Sequence, residues 1–259
     1  MAYLGGKAKG AEHILEILNN PVFSGLDYIE PFVGYAHILR RVVDKKSYTA
    51  SDNNKLLIVL LKHIQKTKGK HPTITKEEYD RYRENPNLNP LKAAYAAFTY
   101  SYNGKYFGGF TETYGDRNYP EERKKYYDQL HDNPTFHKTK LKVGDYTNYS
   151  SVQKKLIYCD PPYAGTTEYH QTFNSEKFWE TIRKLSKKNY VFVSEYKAPE
   201  DFVCISKKTK RSSVSGRGAT RKTQEKVFFH SSRLQDSKIQ ELLKSLTYKC
   251  KSKSQTRKK

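Results

Sequence analysis

Short apolar segments ending in polar residues alternate along this chain with amphipathic helical patterns, and this alternation constrains the fold most strongly. Seven segments have the character of buried strands. They are residues 28–32, 47–52, 141–145, 156–160, 190–194, 202–206 and 227–230. Apolar residues at helical spacing lie between them, for example over residues 11–18, 57–64 and 239–246. The alternation predicts an α/β fold, with a mostly parallel sheet covered by helices on both faces.

Residues 66–138 interrupt this alternation. The stretch is rich in Tyr, Asn, Lys and Arg, and its clearest helical pattern covers residues 91–98. We predict an insertion packed at the edge of a sheet domain that comprises residues 1–65 and 139–248. Residues 249–259 carry six lysines and arginines in eleven positions, and this composition predicts a disordered basic tail.

The charge balance of the 259-residue chain indicates a polyanionic partner. Lys and Arg number 48 against 27 Asp and Glu, which gives a formal net charge of +21. Such an excess is typical of proteins that bind nucleic acid. The three cysteines are widely spaced and fit neither a disulfide framework nor a zinc site, and no apolar run is long enough to span a membrane. We therefore expect an intracellular protein that has no metal site and no membrane association.

The most specific motif is Asp160-Pro161-Pro162-Tyr163, which directly follows an apolar strand. Ligands of open parallel sheets bind beyond the carboxyl ends of the strands. Asp160 and a neighbouring backbone carbonyl can accept both N–H protons of an exocyclic amine on a nucleobase such as adenine. These contacts free the nitrogen lone pair, which is otherwise conjugated with the ring. Tyr163 can stack on that base, and the prolines fix the backbone in advance. The alternative is a proline-terminated strand followed by a surface turn.

Two further strand ends predict a nucleotide-like ligand. Residues 28–36 form a strand that runs into a glycine turn, with a helical stretch predicted over residues 36–43. Asp52 ends the next strand, where an acidic residue commonly binds a ribose hydroxyl. Its other interpretation is the N-cap of the following helix, and Asn53 or Asn54 could share the two roles. The segment Tyr3-Leu4-Gly5-Gly6-Lys7 lacks the full phosphate-loop pattern, which argues against an NTPase.

Taken together, the motifs resemble the Dam-like (D12 class, α-group) DNA adenine-N6 methyltransferases, most closely the compact phage and viral members. The matching segments are Tyr3-Leu4-Gly5-Gly6-Lys7, Glu30-Pro31-Phe32-Val33-Gly34, Ser51-Asp52-Asn53, Gly144-Asp145-Tyr146 and Asp160-Pro161-Pro162-Tyr163. Their order along the chain also matches that of the family. The resemblance implies a Rossmann-like sheet that binds S-adenosylmethionine (SAM), with helices on both faces and a target-recognition region inserted at residues 66–138.

The resemblance also implies roles for individual residues. The implied catalytic residues are Asp160, Pro161, Pro162 and Tyr163. The implied cofactor-binding residues are Tyr3, Lys7, Phe32, Gly34, Asp52, Asn53, Asp145, Tyr146 and Asp160. Within that set, Phe32 and Gly34 line the methionine part, Asp52 binds the ribose, and Asp145 with Tyr146 holds the adenine. One departure is Tyr35, because the family usually has a small residue after the motif glycine.

The implied activity is methyl transfer from SAM to N6 of a flipped-out adenine in double-stranded DNA. Two alternatives stay open: an exocyclic-amine methyltransferase acting on RNA adenine or cytosine N4, and a non-catalytic DNA-binding protein on this scaffold. The expected location is the cytoplasm of a bacterial host or the host cell of a DNA virus. The sequence does not determine the recognition sequence, the preference for hemimethylated DNA, the oligomeric state, or whether a restriction endonuclease partner exists.

Two basic regions are candidates for contacts with DNA. The aromatic and glycine-rich stretch 100–114 is the candidate for base contacts, and residues 207–222 form a basic arm suited to phosphates. The DNA-binding residues predicted from these regions are Tyr102, Asn103, Lys105, Tyr106, Lys208, Arg211, Arg217 and Arg221, and the family resemblance adds Lys7. Packing of the first stretch over the catalytic pocket and solvation of the arm as a surface loop are the respective alternatives.

Overall fold

A computed structural model describes residues 10–162, 173–213 and 220–255 of the protein. Side chains are described in these ranges except at 114, 210–213, 220–223 and 247–255. Within the described part, no helix combines the length and the apolar character that a membrane span requires.

Seven strands form one mixed sheet, and all seven coincide with the apolar segments predicted from the sequence. They are β1 (Asp27–Glu30), β2 (Ser47–Asp52), β5 (Lys140–Val143), β6 (Lys155–Cys159), β7 (Tyr190–Glu195), β8 (Phe202–Ser213) and β9 (Thr220–His230). Their order is β5-β2-β1-β6-β7-β9-β8. The β5–β2, β1–β6 and β6–β7 pairs are parallel, whereas β9 runs antiparallel to β7 and β8. A separate two-stranded hairpin is formed by β3 (Thr113–Tyr114) and β4 (Arg117–Asn118).

The described ranges contain eight α-helices. They are α1 (Glu12–Leu18), α2 (Lys55–Lys66), α3 (Lys76–Glu84), α4 (Pro90–Phe98), α5 (Tyr119–His131), α6 (Pro134–Lys138), α7 (Ser175–Ser186) and α8 (Ser237–Gln255). The α/β class predicted from the alternation is therefore confirmed.

Two compact units divide the chain. Of the described residues, the first unit comprises Glu30–Val42 and Ser47–Tyr146, and the second comprises Gly10–Ile29, Val43–Lys46 and those from Thr147 onward. The stretch 66–138 lies wholly within the first unit, together with β2 and β5. Its separate role as a target-recognition region remains a prediction.

Small residues build the core of the first unit. Helix α4 buries four alanines and its last residue, Phe98, and helix α2 packs against α4. Alanine lets two helices approach closely, so the tyrosines around them can fill the remaining space. Tyr95 of α4 is fully buried, and its hydroxyl lies 2.9 Å from Nδ1 of His71, whose Nε2 lies 2.9 Å from Asp128.

In the second unit, β6 is enclosed on both sides by parallel neighbours. Leu156, Ile157 and Tyr158 are completely buried, as expected for a central strand covered on both faces. The Tyr158 hydroxyl shares a 2.7 Å hydrogen bond with Ser194 of β7, which satisfies two polar groups inside the core. The central position fixes the end of β6, where the most specific sequence motif begins.

Two sequence predictions are corrected by the structure. The helix predicted over residues 36–43 is wrong, because only the 3-10 turn Leu39–Arg41 forms after Ala36 adopts a positive φ of 58°. Strands β8 and β9 extend well beyond the apolar segments 202–206 and 227–230, because their charged ends pair with each other in register up to Ser213 and Thr220. Residues 249–255 of the basic tail belong to α8, which ends at Gln255, and the disorder expected for the tail remains a prediction. Residues 256–259 lie outside the described ranges.

Candidate active site

The loop after β1 is tied to the end of β2 by backbone and side-chain hydrogen bonds. Val33 N donates to the carbonyl of Ser51 (3.0 Å), and Gly34 N donates to Oδ2 of Asp52 (3.2 Å). Gly34 has a φ of +48°, a left-handed conformation that glycine adopts without steric cost. The loop therefore brings its backbone close to Asp52, in the place where the sequence predicted a nucleotide-binding turn.

Asp52 holds this junction together through both carboxylate oxygens. Oδ1 accepts from Asn54 N (3.0 Å), while Oδ2 accepts from Gly34 N. The side chain is half-buried, and burial raises the pKa of Asp52 to about 6, although the two N–H donors act in the opposite direction. A half-buried carboxylate at a strand end still has lone pairs that can accept from hydroxyl groups.

Asn54 settles which residue begins α2. Its side chain accepts from Leu57 N (3.1 Å), the usual N-cap contact. Asp52 is thus not the cap of this helix. Its carboxylate is not used for capping, which is compatible with the predicted contact with a ribose. Asn53, also predicted at the cofactor, lies between the two with an exposed side chain.

The end of β5 joins the same junction. Gly144 N donates to the Asp52 carbonyl (3.0 Å), and Asp145 and Tyr146 follow immediately. The Tyr146 ring stacks on Phe32, with centroids 5.6 Å apart and planes inclined by 22°. Phe32 and Tyr146 were predicted at opposite ends of the cofactor, yet the structure places them in one aromatic wall next to the loop.

Tyr35 explains the departure from the family pattern. Its ring is buried, its hydroxyl donates to the Phe98 carbonyl (3.3 Å), and its own carbonyl accepts from the Tyr126 hydroxyl (2.7 Å). His37 lies 3.0 Å from the same hydroxyl, and burial, together with nearby Arg40, lowers its pKa to about 4. This support of the loop by neutral polar groups was missed from the sequence, because Tyr126 lies about 90 residues away.

Asp160 directly follows β6 in the second unit. Its side chain is half-buried, Pro161 is buried, and Pro162 is half-buried. Both neighbours of β6 run parallel to it, so Asp160 lies at the carboxyl end of a central strand. Ligands of such sheets bind at this edge. Three other predicted residues of the site, Tyr3, Lys7 and Tyr163, lie outside the described ranges.

The stretch predicted for base contacts forms a compact loop rather than a regular hairpin. Ser101 bridges to Phe110, and its hydroxyl both donates to the Lys105 carbonyl and accepts from Gly108 N, each at 2.6 Å. Tyr102 and Tyr106 leave 51% and 40% of their surface exposed. Large exposed rings on a rigid loop are available to a partner.

The polar residues of that loop are less accessible. Asn103 has a φ of +52° and is half-buried, as is Lys105. Their predicted roles in DNA binding remain predictions.

The basic arm is the distal part of the β8–β9 ladder. Lys208 donates to Oε2 of Glu12 at 3.0 Å, so this predicted DNA ligand has a partner within the protein. Arg211 and Arg221 are described by their backbone positions in β8 and β9, and Arg217 lies outside the described ranges.

Two of the solved structures to which the chain is similar are methyltransferases of low sequence identity. The rRNA methyltransferase aviRa from Streptomyces viridochromogenes is 11% identical, with a TM-score of 0.40 over 92% of this chain and 91% of that one. A precorrin-6y C5,15-methyltransferase from Geobacter metallireducens GS-15 is 6% identical, with a TM-score of 0.39 over 88% and 92% of the two chains. These likenesses are too distant to bear on substrate or mechanism. No curated protein matches the sequence significantly.

The family comparison covers nearly the whole chain. The family model described as D12 class N6 adenine-specific DNA methyltransferase matches residues 3–258. This range includes every motif described above, from the N-terminal segment to the end of α8. The chain therefore belongs to the D12 class of N6 adenine-specific DNA methyltransferases.

Proposed function

We propose that this enzyme methylates N6 of an adenine flipped out of duplex DNA, and that Asp160, Asp52, Phe32 and Tyr146 carry the central roles. The observation on which the proposal depends most is Asp160-Pro161-Pro162 at the carboxyl end of the central strand β6, in a chain that matches a DNA adenine methyltransferase family over residues 3–258. DNA is the substrate class of this family, and SAM is its methyl donor.

The residues of the first unit fit an adenosyl group. Asp52 offers a half-buried carboxylate at the end of β2, and ribose hydroxyls are good donors to such a group. The Phe32–Tyr146 wall offers apolar aromatic surface for a purine or a thioether-like chain. Gly34 lets the backbone come close to a ligand without a side chain in between. When bound, SAM supplies the electrophilic methyl group.

Asp160 is proposed to prepare the amine that accepts the methyl group. The lone pair of the adenine N6 is delocalised into the ring, so the free amine is a weak nucleophile. A carboxylate and a carbonyl that accept its two N–H protons favour a tetrahedral nitrogen with a localised lone pair. Pro161 and Pro162 restrict the backbone, so this orientation does not have to be created when the base arrives.

Flipping the target base costs a few kcal/mol in lost stacking and pairing. The sequence motif continues with Tyr163, whose ring we propose as the stacking partner of the flipped base. Stacking of a base on an aromatic ring offsets on the order of 1–3 kcal/mol. The proposed roles of Tyr3 and Lys7 near the cofactor and the target base likewise rest on the family resemblance.

A transfer experiment with labelled SAM tests this function. The protein is incubated with methyl-tritiated SAM and equal amounts of duplex DNA and structured RNA, and the labelled nucleoside is identified after digestion. We expect label in DNA, on N6 of adenine. Label on cytosine N4 or in the RNA would reassign the substrate, and DNA binding with neither SAM binding nor transfer would indicate a non-catalytic DNA-binding protein.

A further inference from the structure

The distal part of β8 and β9 is a two-stranded ribbon whose two faces differ. Among the described residues, β9 pairs with β7 at Lys226, Val227 and Phe228, whereas Thr220 to Glu225 pair with β8 alone. Side chains alternate between the faces of a strand, and directly paired residues share a face. The register therefore sorts the ribbon into two rows.

We define an outer row and an inner row from this register. The outer row consists of the pairs Lys207–Lys226, Thr209–Gln224 and Arg211–Lys222. The inner row consists of the pairs Lys208–Glu225, Lys210–Thr223 and Ser212–Arg221.

Burial identifies the row that faces the protein. In the inner row, Glu225 is 1% exposed, and Lys208 is ion-paired with Glu12 of α1. The Lys208 ammonium also lies over Gly10, where an added Cβ would approach it to 3.2 Å. In the outer row, Lys207, Thr209 and Gln224 are all exposed. Where side chains are described, the inner row is thus covered near α1, and the outer row is open to solvent at Lys207, Thr209 and Gln224.

The outer row places like charges opposite one another. Lys207 is paired with Lys226, and Arg211 with Lys222, and the three pairs of the row contain no acidic residue. Like charges directly opposite each other destabilise an antiparallel ladder. The only acidic neighbour that the register adds is Glu195 of β7, beside Lys226. A negatively charged partner would neutralise these paired cations and remove their repulsion.

We propose that the outer row of this ribbon binds the phosphate backbone of the duplex DNA substrate. The two basic pairs are separated by four residues, or roughly 13 Å along the strand. A duplex carries one phosphate charge about every 1.7 Å along its axis, so both pairs can meet phosphates of one site. The inference builds on the proposed function, and it assigns phosphate binding to Lys207, Arg211 and Lys222 rather than to Lys208 and Arg221.

Two triple variants with identical composition test the assignment. The outer variant is K207Q/R211Q/K222Q, and the inner control is K208Q/K210Q/R221Q. Each replaces two lysines and one arginine by glutamine, so both lower the net charge by three. Lys226 stays unchanged in both, because its removal would leave the adjacent Glu195 without that neighbour.

The measurement is the affinity for a fluorescent duplex DNA between 50 and 300 mM salt, followed for both variants and the wild type. Each lost phosphate contact lowers the slope of log K against log salt by about 0.9. We expect the outer variant to lose about 2 to 3 from the slope and to bind more than ~10-fold more weakly at low salt. The inner control should lose less than about 1.

Equal slopes for the two variants, or a wild-type slope for the outer variant, would overturn the proposal. A loss of affinity for RNA but not for duplex DNA would overturn it as well. A thermal shift with S-adenosylhomocysteine reports folding of each variant, and the single variants R211Q and K210Q repeat the comparison if a triple variant does not fold. Methyl transfer to DNA by the wild type tests the proposed function separately, since that activity can be present whichever row binds phosphate.

Discussion

If Asp52 binds the ribose as proposed, SAM affinity should depend on pH, in a direction set by the raised pKa of its carboxyl. Burial raises the pKa of Asp52 to about 6, from an ordinary value of 3.8. An ionised carboxylate accepts from ribose hydroxyls at both oxygens, whereas the protonated form must give up part of that capacity. At pH 5 a carboxyl with this pKa is about nine-tenths protonated, so SAM that requires the ionised form binds about tenfold more weakly than at pH 8.

Isothermal calorimetry with S-adenosylhomocysteine, from pH 5 to pH 8, measures this effect without turnover. Asp52→Asn is the matched control, because an amide of nearly the same shape cannot ionise. We expect the wild-type affinity to rise about tenfold through a midpoint near pH 6, and the variant to bind weakly at every pH. A flat wild-type profile, or the same profile in the variant, would refute the assignment of Asp52 to the ribose.

The same group affects the stability of the unliganded protein with the opposite sign. Its folded-state pKa lies above the unfolded value, so its contribution to stability is complete below about pH 4 and is lost as the pH rises through about 6. Thermal unfolding with and without ligand should therefore diverge as the pH increases from 4 to 7. Parallel pH profiles in the two states would argue that Asp52 does not contact the ligand.

Three substitutions test the surroundings of this carboxylate. Phe32→Ala removes half of the aromatic wall and should weaken S-adenosylhomocysteine binding about tenfold in calorimetry. The control is Phe110→Ala, which removes a ring from another stacked pair of the same unit and should leave that affinity unchanged. Asn54→Ala removes the N-cap contact with Leu57 N, and urea unfolding should show a loss of about 1 kcal/mol; an unchanged midpoint would contradict that cap. Tyr126→Phe removes the hydroxyl that supports the glycine loop, so chemical denaturation should show that the free energy of unfolding falls by about 1 kcal/mol. Binding of S-adenosylhomocysteine should weaken with it. A stability equal to that of the wild type would speak against this support.

The sheet could be predicted from the sequence because each central strand has a simple signature. The run before Asp160 is continuously apolar, as a strand buried on both faces requires, and it ends abruptly in polar residues and prolines. The position of Asp52 at the end of β2 could be predicted for the same reason, since this residue follows an apolar segment and precedes a helical pattern. Local patterns of this kind predict strands because the polarity of each residue reflects whether that residue is buried.

Other features depended on contacts that no local pattern records. Residues 36–43 have apolar spacing compatible with a helix. However, Gly34 and Ala36 both adopt positive φ, so no α-helix begins at this point. The anchors that hold this conformation, Phe98 and Tyr126, lie far along the chain.

The ribbon was missed because its ends are charged. A sequence such as Lys207 to Ser213 lacks the apolar alternation by which strands are recognised, and its strand character comes from cross-strand hydrogen bonds with β9. The same register changes the interpretation of the positive charge. Lys208 has its partner within the protein, whereas the neighbouring Lys207, on the other face of the strand, is exposed.

The central claim is that Asp160 activates the amine and does not serve mainly to hold the cofactor. The most direct measurement compares wild type and Asp160→Ala in one preparation each, with N6-methyladenine quantified by mass spectrometry and S-adenosylhomocysteine affinity measured alongside. We expect the variant to lose methyl transfer by about a hundredfold or more, with cofactor-product affinity within a few-fold of wild type. Methylation of adenine at an undiminished rate in Asp160→Ala, or a loss explained entirely by failure to bind the cofactor product, would contradict the account.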